Sequence, residues 1–218
     1  MLQENQLKKQ QHLLSRSTKF IVKTMPNIIL ASKSKVRKDI LKNYGIECDV
    51  FPSNVDEDIV KISLTKEKAS PEIISKNLAE LKANKVSNKF PNELVIGADS
   101  VIDLDGEVIS KPVDRSEALY ILKSLNGKTH RLISSVCISM GGNMIWNYTD
   151  KAELVMKEFN ITELEEYLSK ISDEALYAYN VYQIEGLGKS LFSKINGDRD
   201  TIMGLPVKKI KEYLKNFA

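Results

Sequence analysis

The chain has 218 residues, 42% of them hydrophobic and 28% charged, which is enough to bury the core of one or two domains. Its net charge of +3 comes from residues 1–24, which carry five basic residues and one acidic residue, so the remaining 194 residues sum to −1. That balance excludes a protein that coats nucleic acid through a basic body. No apolar run approaches the roughly 20 residues that a membrane span needs.

Residues 1–25 are expected to be a basic, disordered extension, and residues 26–218 to form one folded domain. The first 26 residues lack the apolar segment of a secretory signal, and Met25 is an alternative start to Met1. Cys48 and Cys137 lie in apolar stretches, which indicates core residues of a protein in a reducing compartment.

The first half of the chain alternates strands with helices. The pattern predicts, in order, a strand over 28–31, a helix over 35–44, a strand over 48–51, a helix that begins at Pro71 with Ile74, Leu78 and Leu81 in its apolar stripe, and a strand over 94–98 that ends at Asp99. Asp105-Gly106 then predicts a hairpin turn between strands 101–104 and 108–109.

Hairpins dominate the middle of the chain. The pattern predicts, in order, a helix over 116–125 capped by Ser116, strands over 131–140, 144–148 and 151–159, a helix opened by a capping box over 162–165, a strand over 191–195 and a helix over 205–216. Together these elements predict a mixed α/β fold with a cleft between two lobes of one compact unit.

The turn after the first predicted strand has two interpretations. Ser32 and Ser34 can simply cap the free N–H groups of the following helix. Alternatively, the same N–H groups and the helix dipole hold a phosphate, with Arg37 and the nearby lysines adding charge. Cations at a helix N-terminus oppose the dipole, so their presence favours an anion site without excluding a cap.

Three further residues are candidates for chemistry. Asp99 is a carboxylate at the end of a strongly apolar strand, where α/β enzymes often place reactive groups. The predicted hairpin can return Lys111 to the vicinity of Asp99, and Lys82 lies beside the apolar stripe of its helix and can face a cleft. A turn aspartate and solvated lysines remain the alternatives. His12 and His130 are too isolated to form a histidine metal cluster.

Six segments, in the right order, resemble the Maf-type nucleoside triphosphate pyrophosphatases. They are LASKSKVR at 30–37, VDE at 55–57, LAELKA at 78–83, GADSVIDLDGEVISKP at 97–112, NGKTH at 126–130 and GLGKSLFSKINGDRDTIMGLP at 186–206. The resemblance covers nearly all of the chain outside its basic N-terminal part.

This resemblance implies hydrolysis of a nucleoside triphosphate to the monophosphate and pyrophosphate with a divalent cation, Mg²⁺ or Mn²⁺, in a cytoplasmic protein. It implies a mixed twisted sheet flanked by helices, two lobes around a nucleotide cleft as in inosine triphosphatases, and one catalytic domain over 26–218. Asp99 matches the catalytic aspartate, which acts as the base or holds the metal, and Glu57 matches an acidic residue near the metal. The phosphate-contacting set is matched by Ser32, Arg37, Lys82 and Lys111.

The chain departs from the family pattern at several positions. Lys35 replaces a proline, and Val36 replaces the first arginine of a pair, so one phosphate contact is absent. Glu185 stands where one branch of the family has glutamine, and its carboxylate can accept from the N–H donors of a guanine edge. These features resemble the branch that acts on 7-methyl-GTP, although Ser100 fits neither branch.

Two other functions remain open. The resemblance also allows a non-catalytic nucleotide-binding regulator of septum formation, because family members are linked to arrest of cell division. The basic N-terminal residues could support non-specific, salt-sensitive association with nucleic acid. A homodimer is a further alternative that the residues leave undecided.

Overall fold

The computed structural model describes residues 26–179 and 181–217, without the side chains of residues 177–179 and 217. The expectations for residues 1–25 and for the choice between Met1 and Met25 therefore lie outside the described residues. Within the described ranges, no helix is long and apolar enough to cross a membrane. Cys48 and Cys137 are both free thiols.

A seven-stranded sheet forms the centre of the protein. Its strands are β1 Ile28–Leu30, β2 Asp49–Val50, β3 Leu94–Leu104, β4 Glu107–Ile109, β5 Thr129–Met140, β6 Asn143–Met156 and β7 Phe192–Asn196. Along the order β2-β1-β3-β5-β6-β7, β1 pairs in parallel with β2 and β3, and the remaining pairs are antiparallel. β4 folds back antiparallel on the end of β3. The mixed sheet confirms the predicted fold class.

Helices surround this sheet, and most of them begin at a capping side chain. In the described residues they are α1 Lys35–Asn43, α2 Glu57–Lys66, α3 Pro71–Ser87, α4 Arg115–Leu125, α5 Ile161–Ser169, α6 Asp173–Tyr179, α7 Arg199–Ile202 and α8 Val207–Phe217. Ser34, Asp56 and Ser70 each accept a hydrogen bond from a backbone N–H in the first turn of α1, α2 and α3.

The two long central strands pass from one hydrophobic core into another. The first half of β3 and the second half of β5 pack with α1 and α8 in one core, which includes Leu30, Leu41, Ile96, Val136 and Ile210. Their opposite halves join a second core with α4 and α5, which includes Ile102, Leu122, Leu132, Leu154 and Leu164. Between the two cores, Asp99 of β3 pairs with Ser135 of β5, and Ser100 pairs with Ser134. A polar band therefore separates the two lobes.

Two predicted strand boundaries are wrong. β3 does not end at Asp99 but continues to Leu104, because Asp99 takes its place in the ladder and Lys82 compensates its buried charge. The strands predicted over 144–148 and 151–159 are one strand, β6. The polar residues between them stay in the ladder because Thr149 and Asp150 pair with Ser135 and Ser134.

The helix starts also differ in detail. Asp114, rather than Ser116, caps α4, and the capping box of α5 joins Asn160 to Glu163 rather than spanning 162–165. Leu81 is 41% exposed and lies outside the apolar face of α3. α2, α6 and α7 were not predicted. α2 has no buried residue, so it lacks the apolar stripe by which a helix is recognised from sequence.

Candidate functional site

A cavity of about 600 Å³ lies beside the polar band and contains all the predicted site residues. Its wall is formed by the turn after β1 with the first turn of α1, the first turn of α2, the middle of α3, the centre of β3, the segment after β4 and the segment before the 3₁₀ turn Leu187–Leu191. These elements contribute, in that order, Ser32 and Arg37, Glu57, Lys82, Asp99, Lys111 and Glu185. Residues up to 153 positions apart in sequence thus meet in one cavity.

The centre of the site is a buried lysine between two carboxylates. Lys82 Nζ lies 2.7 Å from Asp99 Oδ1 and 2.8 Å from Glu57 Oε1. Lys82 is 6% exposed and Asp99 is 3% exposed. A buried charge is tolerated only when it is paired, and here one cation serves two anions.

A glycine allows α3 to approach β3 closely enough for this contact. A Cβ atom on Gly97 would lie 2.2 Å from the backbone oxygen of Ala79 and 2.6 Å from the backbone nitrogen of Ala83. The Ser75 hydroxyl also donates to the backbone oxygen of Asp99, at 3.1 Å. The helix and the strand are therefore held at the separation at which Lys82 reaches Asp99.

One carboxylate oxygen of this cluster has no hydrogen-bond partner among the described residues. Asp99 Oδ2 is buried and accepts no hydrogen bond from any residue that the structure describes. Buried polar atoms are nearly always satisfied, so such an oxygen indicates a bound water or ion. Within the described residues there is no group of three or more side chains that could hold a metal by themselves. Asp99 and Glu57 nevertheless fit Mg²⁺, which is usually held by one or two carboxylates, with substrate phosphates and water completing its shell.

The charge of Glu57 is stabilised by its neighbours. Burial alone would raise the pKa of its carboxyl group, but the charge and hydrogen bond of Lys82, with smaller contributions from Lys61 and Arg37, bring that pKa below the ordinary value of 4.5. Glu57 is therefore an anion at neutral pH, as a metal ligand must be.

Arg37 contacts the protein itself through most of its N–H groups. Nε donates to the backbone oxygen of Gly204 and Nη1 to that of Ala98, both at 2.9 Å. Nη1 also donates to Ser32 Oγ at 3.3 Å, and Nη2 to Ser100 Oγ at 3.2 Å. Burial lowers the pKa of the Arg37 guanidinium, against the opposing effect of Asp99 and Glu57. Arg37 thus joins the turn after β1, the centre of β3 and the segment before α8.

The contacts of Arg37 leave Ser32 with a definite role. Ser32 Oγ accepts hydrogen bonds from Arg37 and from the backbone N–H of Ser34, at 3.2 Å. A hydroxyl has one donor and two acceptor sites, so the group that Ser32 still offers is its O–H donor. Ser34 caps α1, as the first interpretation of this turn predicts, whereas phosphate binding by Ser32 stays a prediction.

Lys111 lies where several cations converge. Burial lowers the pKa of its ammonium group, and the charges of Arg37, Lys61 and Lys82 lower it further, against the effect of Glu57. Such a concentration of positive charge favours the binding of an anion.

The segment that carries Glu185 is anchored by a buried histidine. His130 Nε2 lies 2.8 Å from Tyr182 Oη, and burial lowers the pKa of His130 to about 4, so the ring is neutral at physiological pH. A Cβ atom on Gly188 would lie 2.6 Å from the backbone nitrogen of Gln183, so the segment folds tightly on itself. The histidine of the NGKTH motif therefore supports the cavity wall. Lys61 and Gln183 also line the cavity and were not among the predicted residues.

Comparison with known proteins shows which family the chain belongs to. The family model described as "Maf-like protein" matches residues 27–217. A nucleoside triphosphate pyrophosphatase of Pelagibacter ubique is 74% identical over 86% of this chain and 96% of its own. A 7-methyl-GTP pyrophosphatase of Rhizobium etli is 38% identical over 84% of this chain and 92% of its own. The Ham1 protein of Staphylococcus aureus aligns over 68% of this chain and 88% of its own with 16% identity and a TM-score of 0.38, a likeness too weak to carry an argument. The family model and the sequence relatives show that the chain belongs to the Maf family.

Proposed function

We propose that this protein is a nucleoside triphosphate pyrophosphatase whose catalytic domain spans residues 26–218. The observation that carries the proposal is the buried Glu57–Lys82–Asp99 cluster with an unpartnered Asp99 oxygen, in a cavity lined by further cations. The pyrophosphatase relatives of the Maf family support the same reaction. A protein that only binds nucleotide needs cations for the phosphates but has no need of two carboxylates among them.

In the proposed reaction, water attacks the α-phosphorus of a nucleoside triphosphate. A new P–O bond forms to the water oxygen, the bond from the α-phosphorus to the bridging oxygen breaks, and pyrophosphate leaves with that oxygen. The products are a nucleoside monophosphate and pyrophosphate. Negative charge grows on the leaving pyrophosphate, and fixed cations aimed at that charge lower the barrier.

Each site residue has a place in this reaction. Asp99 and Glu57 would hold a divalent cation, Mg²⁺ or Mn²⁺, which supplies neutralisation of the triphosphate charge. Asp99 accepts the proton of the attacking water, and Lys82 fixes the geometry of both carboxylates. Ser32 donates its hydroxyl to a phosphate oxygen, and Lys111 contributes positive charge. Arg37 acts mainly by holding Ser32 and the centre of β3 in place.

We propose that the substrate carries a modified purine, with 7-methylguanine as the leading base. Glu185 is an exposed carboxylate on the cavity wall, and carboxylate oxygens accept from the N–H groups of a guanine edge. The relatives named 7-methyl-GTP pyrophosphatase support this choice. The protein would then remove non-standard nucleotides from the cytoplasmic pool.

The test is pyrophosphate release with Mg²⁺ or Mn²⁺ from the common NTPs and dNTPs, 7-methyl-GTP, 5-methyl-UTP and inosine triphosphate. Wild type should release pyrophosphate, and Asp99→Asn should reduce the rate by about a hundredfold or more. Asp103→Asn is the matched control, because Asp103 is a buried carboxylate on the same strand that accepts from the N–H of Gly106 instead of lining the cavity. A wild-type protein that binds nucleotide and hydrolyses none of them would overturn the proposal in favour of a regulatory binding protein.

A further inference from the structure

Two of the predicted cations, Arg37 and Lys82, are already engaged by groups of the protein. Val36 occupies the place where the family pattern has an arginine, and it packs partly against the core of α1 and α8. Arg37 uses its N–H groups on the backbone oxygens of Ala98 and Gly204 and on two serine hydroxyls. Lys82 is engaged by Glu57 and Asp99. A nucleoside triphosphate carries about four negative charges at neutral pH, because its terminal phosphate loses its second proton near pH 6, as a phosphorylated side chain does.

The helix α2 carries a lysine on its inward face. Its four partly buried residues are Glu57, Val60, Lys61 and Leu64, and every other residue of the helix is exposed. This spacing of three and four residues defines one face, directed toward the protein. A lysine that served only solubility would lie on the opposite face, as Lys66 does.

Lys61 lines the cavity together with Glu57, one helical turn before it. Among the residues that the structure describes, none forms a hydrogen bond or an ion pair with the Lys61 ammonium group. Residues at positions i and i+4 of a helix are neighbours, with Cβ atoms about 6 Å apart. Lys82 contacts both Asp99 and Glu57, and Lys61 follows Glu57 on the same face of α2. Together these side chains form a series of neighbours on the cavity wall.

We propose that Lys61 is a further substrate-binding residue that contacts the β- and γ-phosphates of the nucleotide. The inference rests on the proposed function, because it takes Asp99 as the residue nearest the α-phosphorus. The next phosphates then lie farther along the series, beside α2. The charge of Lys61 also contributes to the lowered pKa of Lys111, so these two cations are close enough to repel each other unless an anion lies between them.

The experiment compares Lys61→Ala, Lys61→Arg and the control Lys66→Ala in the full-length chain. Two binding constants are measured by calorimetry, one for inorganic pyrophosphate and one for a nucleoside monophosphate, together with kcat and KM for the best triphosphate. Lys61→Ala should weaken pyrophosphate binding and raise KM by about tenfold, the loss expected for one charge-assisted contact. Monophosphate binding should not change. Lys61→Arg should stay within about twofold of wild type, because it keeps the charge.

Other outcomes would overturn the inference. If Lys61→Ala and Lys66→Ala weaken pyrophosphate binding equally, Lys61 is an ordinary surface charge. If binding of monophosphate and pyrophosphate falls together, Lys61 supports the cavity wall rather than the terminal phosphates. If wild type hydrolyses no nucleotide, the proposed function fails, but the pyrophosphate binding constants still decide whether Lys61 binds phosphate.

Discussion

Two neighbouring helices line the same cavity, and the protein holds them in different ways. α3 has nine buried residues and lies against β3 and β5, so Lys82 enters the site on a rigid support. α2 has no buried residue, and Ile59 and Ile62 on its outer face are 65% and 56% exposed. Glu57 joins the two helices through its contact with Lys82. One wall of the site is therefore fixed by the hydrophobic core, whereas the other has no buried residue and is joined to the first by an ion pair.

This difference suits the two tasks of the proposed site. The groups proposed to act at the α-phosphorus, Lys82 and Asp99, come from the rigid wall. The groups proposed to meet the metal and the outer phosphates, Glu57 and Lys61, come from the wall with the weaker packing. Elements that move when a ligand binds are commonly drawn from the less stable parts of a fold.

The largest effect is expected from Lys82→Met, which removes the cation shared by both walls. Asp99 would then be a buried anion without its ion-pair partner, and breaking a buried pair in this way costs about 3–5 kcal/mol of unfolding free energy. Pyrophosphate release should fall by about a hundredfold or more. Urea denaturation and steady-state kinetics measure these losses, with Lys76→Met on the exposed face of α3 as the control. Unchanged stability would show that the carboxylates do not depend on this lysine.

The next prediction compares one isoleucine from each helix. Ile74 on α3 is 1% exposed, so Ile74→Ala should lower the unfolding free energy by about 2–5 kcal/mol. Ile62 on α2 is 56% exposed, so Ile62→Ala should change it by no more than about 0.5 kcal/mol. Chemical denaturation of the two variants under identical conditions checks both values. Equal losses would mean that α2 is packed as firmly as α3, and the distinction between the walls would be wrong.

A smaller loss of unfolding free energy is expected when a substitution pushes α3 away from the sheet. Gly97→Ala places a methyl group against the backbone of Ala79 and Ala83, and overpacking of this kind costs about 1–3 kcal/mol. Because the helix must shift, Lys82 should also move from Asp99, and kcat should fall while the chain stays folded. Adding Ala83→Gly should not restore kcat, since the two closest contacts are to backbone atoms. Full activity of Gly97→Ala would refute the role of this close approach.

The rigid wall could be predicted from sequence, whereas the other wall could not. Lys82 stands out because the helical period places it beside Ile74 and Leu78, and Asp99 stands out because it follows an apolar run. α2 gives no such signal, since its apolar residues are divided between the inner and outer faces. Lys61 could have been recognised as a cavity residue only by predicting a helix from Glu57 onward and identifying the residues on its inward face.

The contacts that Arg37 makes within the protein could not be predicted from the local sequence either. Three of its four acceptors belong to Ala98, Ser100 and Gly204, which are 61, 63 and 167 residues away in sequence. Only the tertiary fold shows that this guanidinium, which the sequence predicts to contact phosphate, donates to oxygen atoms of the protein itself. For the same reason, β3 continues through Asp99: the lysine that makes a buried carboxylate tolerable in a strand lies on another element.

The smallest predicted effect concerns Glu57→Gln and tests whether charge holds α2 in place. The pKa of Glu57 lies below 4.5 in the folded protein because of Lys82, Lys61 and Arg37, despite partial burial. Its ionised form therefore stabilises the fold above the unfolded-state pKa, and this contribution is lost as the pH falls through the folded-state pKa. Because the Glu57 side chain is 43% exposed, we expect wild type to exceed Glu57→Gln by no more than about 1 kcal/mol at neutral pH.

That difference should shrink as the pH falls below the ordinary glutamate pKa of 4.5 and Glu57 becomes protonated, which denaturation curves at several pH values measure directly. In the Lys82→Met background, Glu57→Gln should have little pH-dependent effect, because its principal cation is gone. If the gap between wild type and Glu57→Gln is instead constant with pH, the ion pair does not stabilise α2. The half-buried Val60 and Leu64 would then be what holds this wall, and the two sides of the cavity would differ in degree of packing rather than in kind.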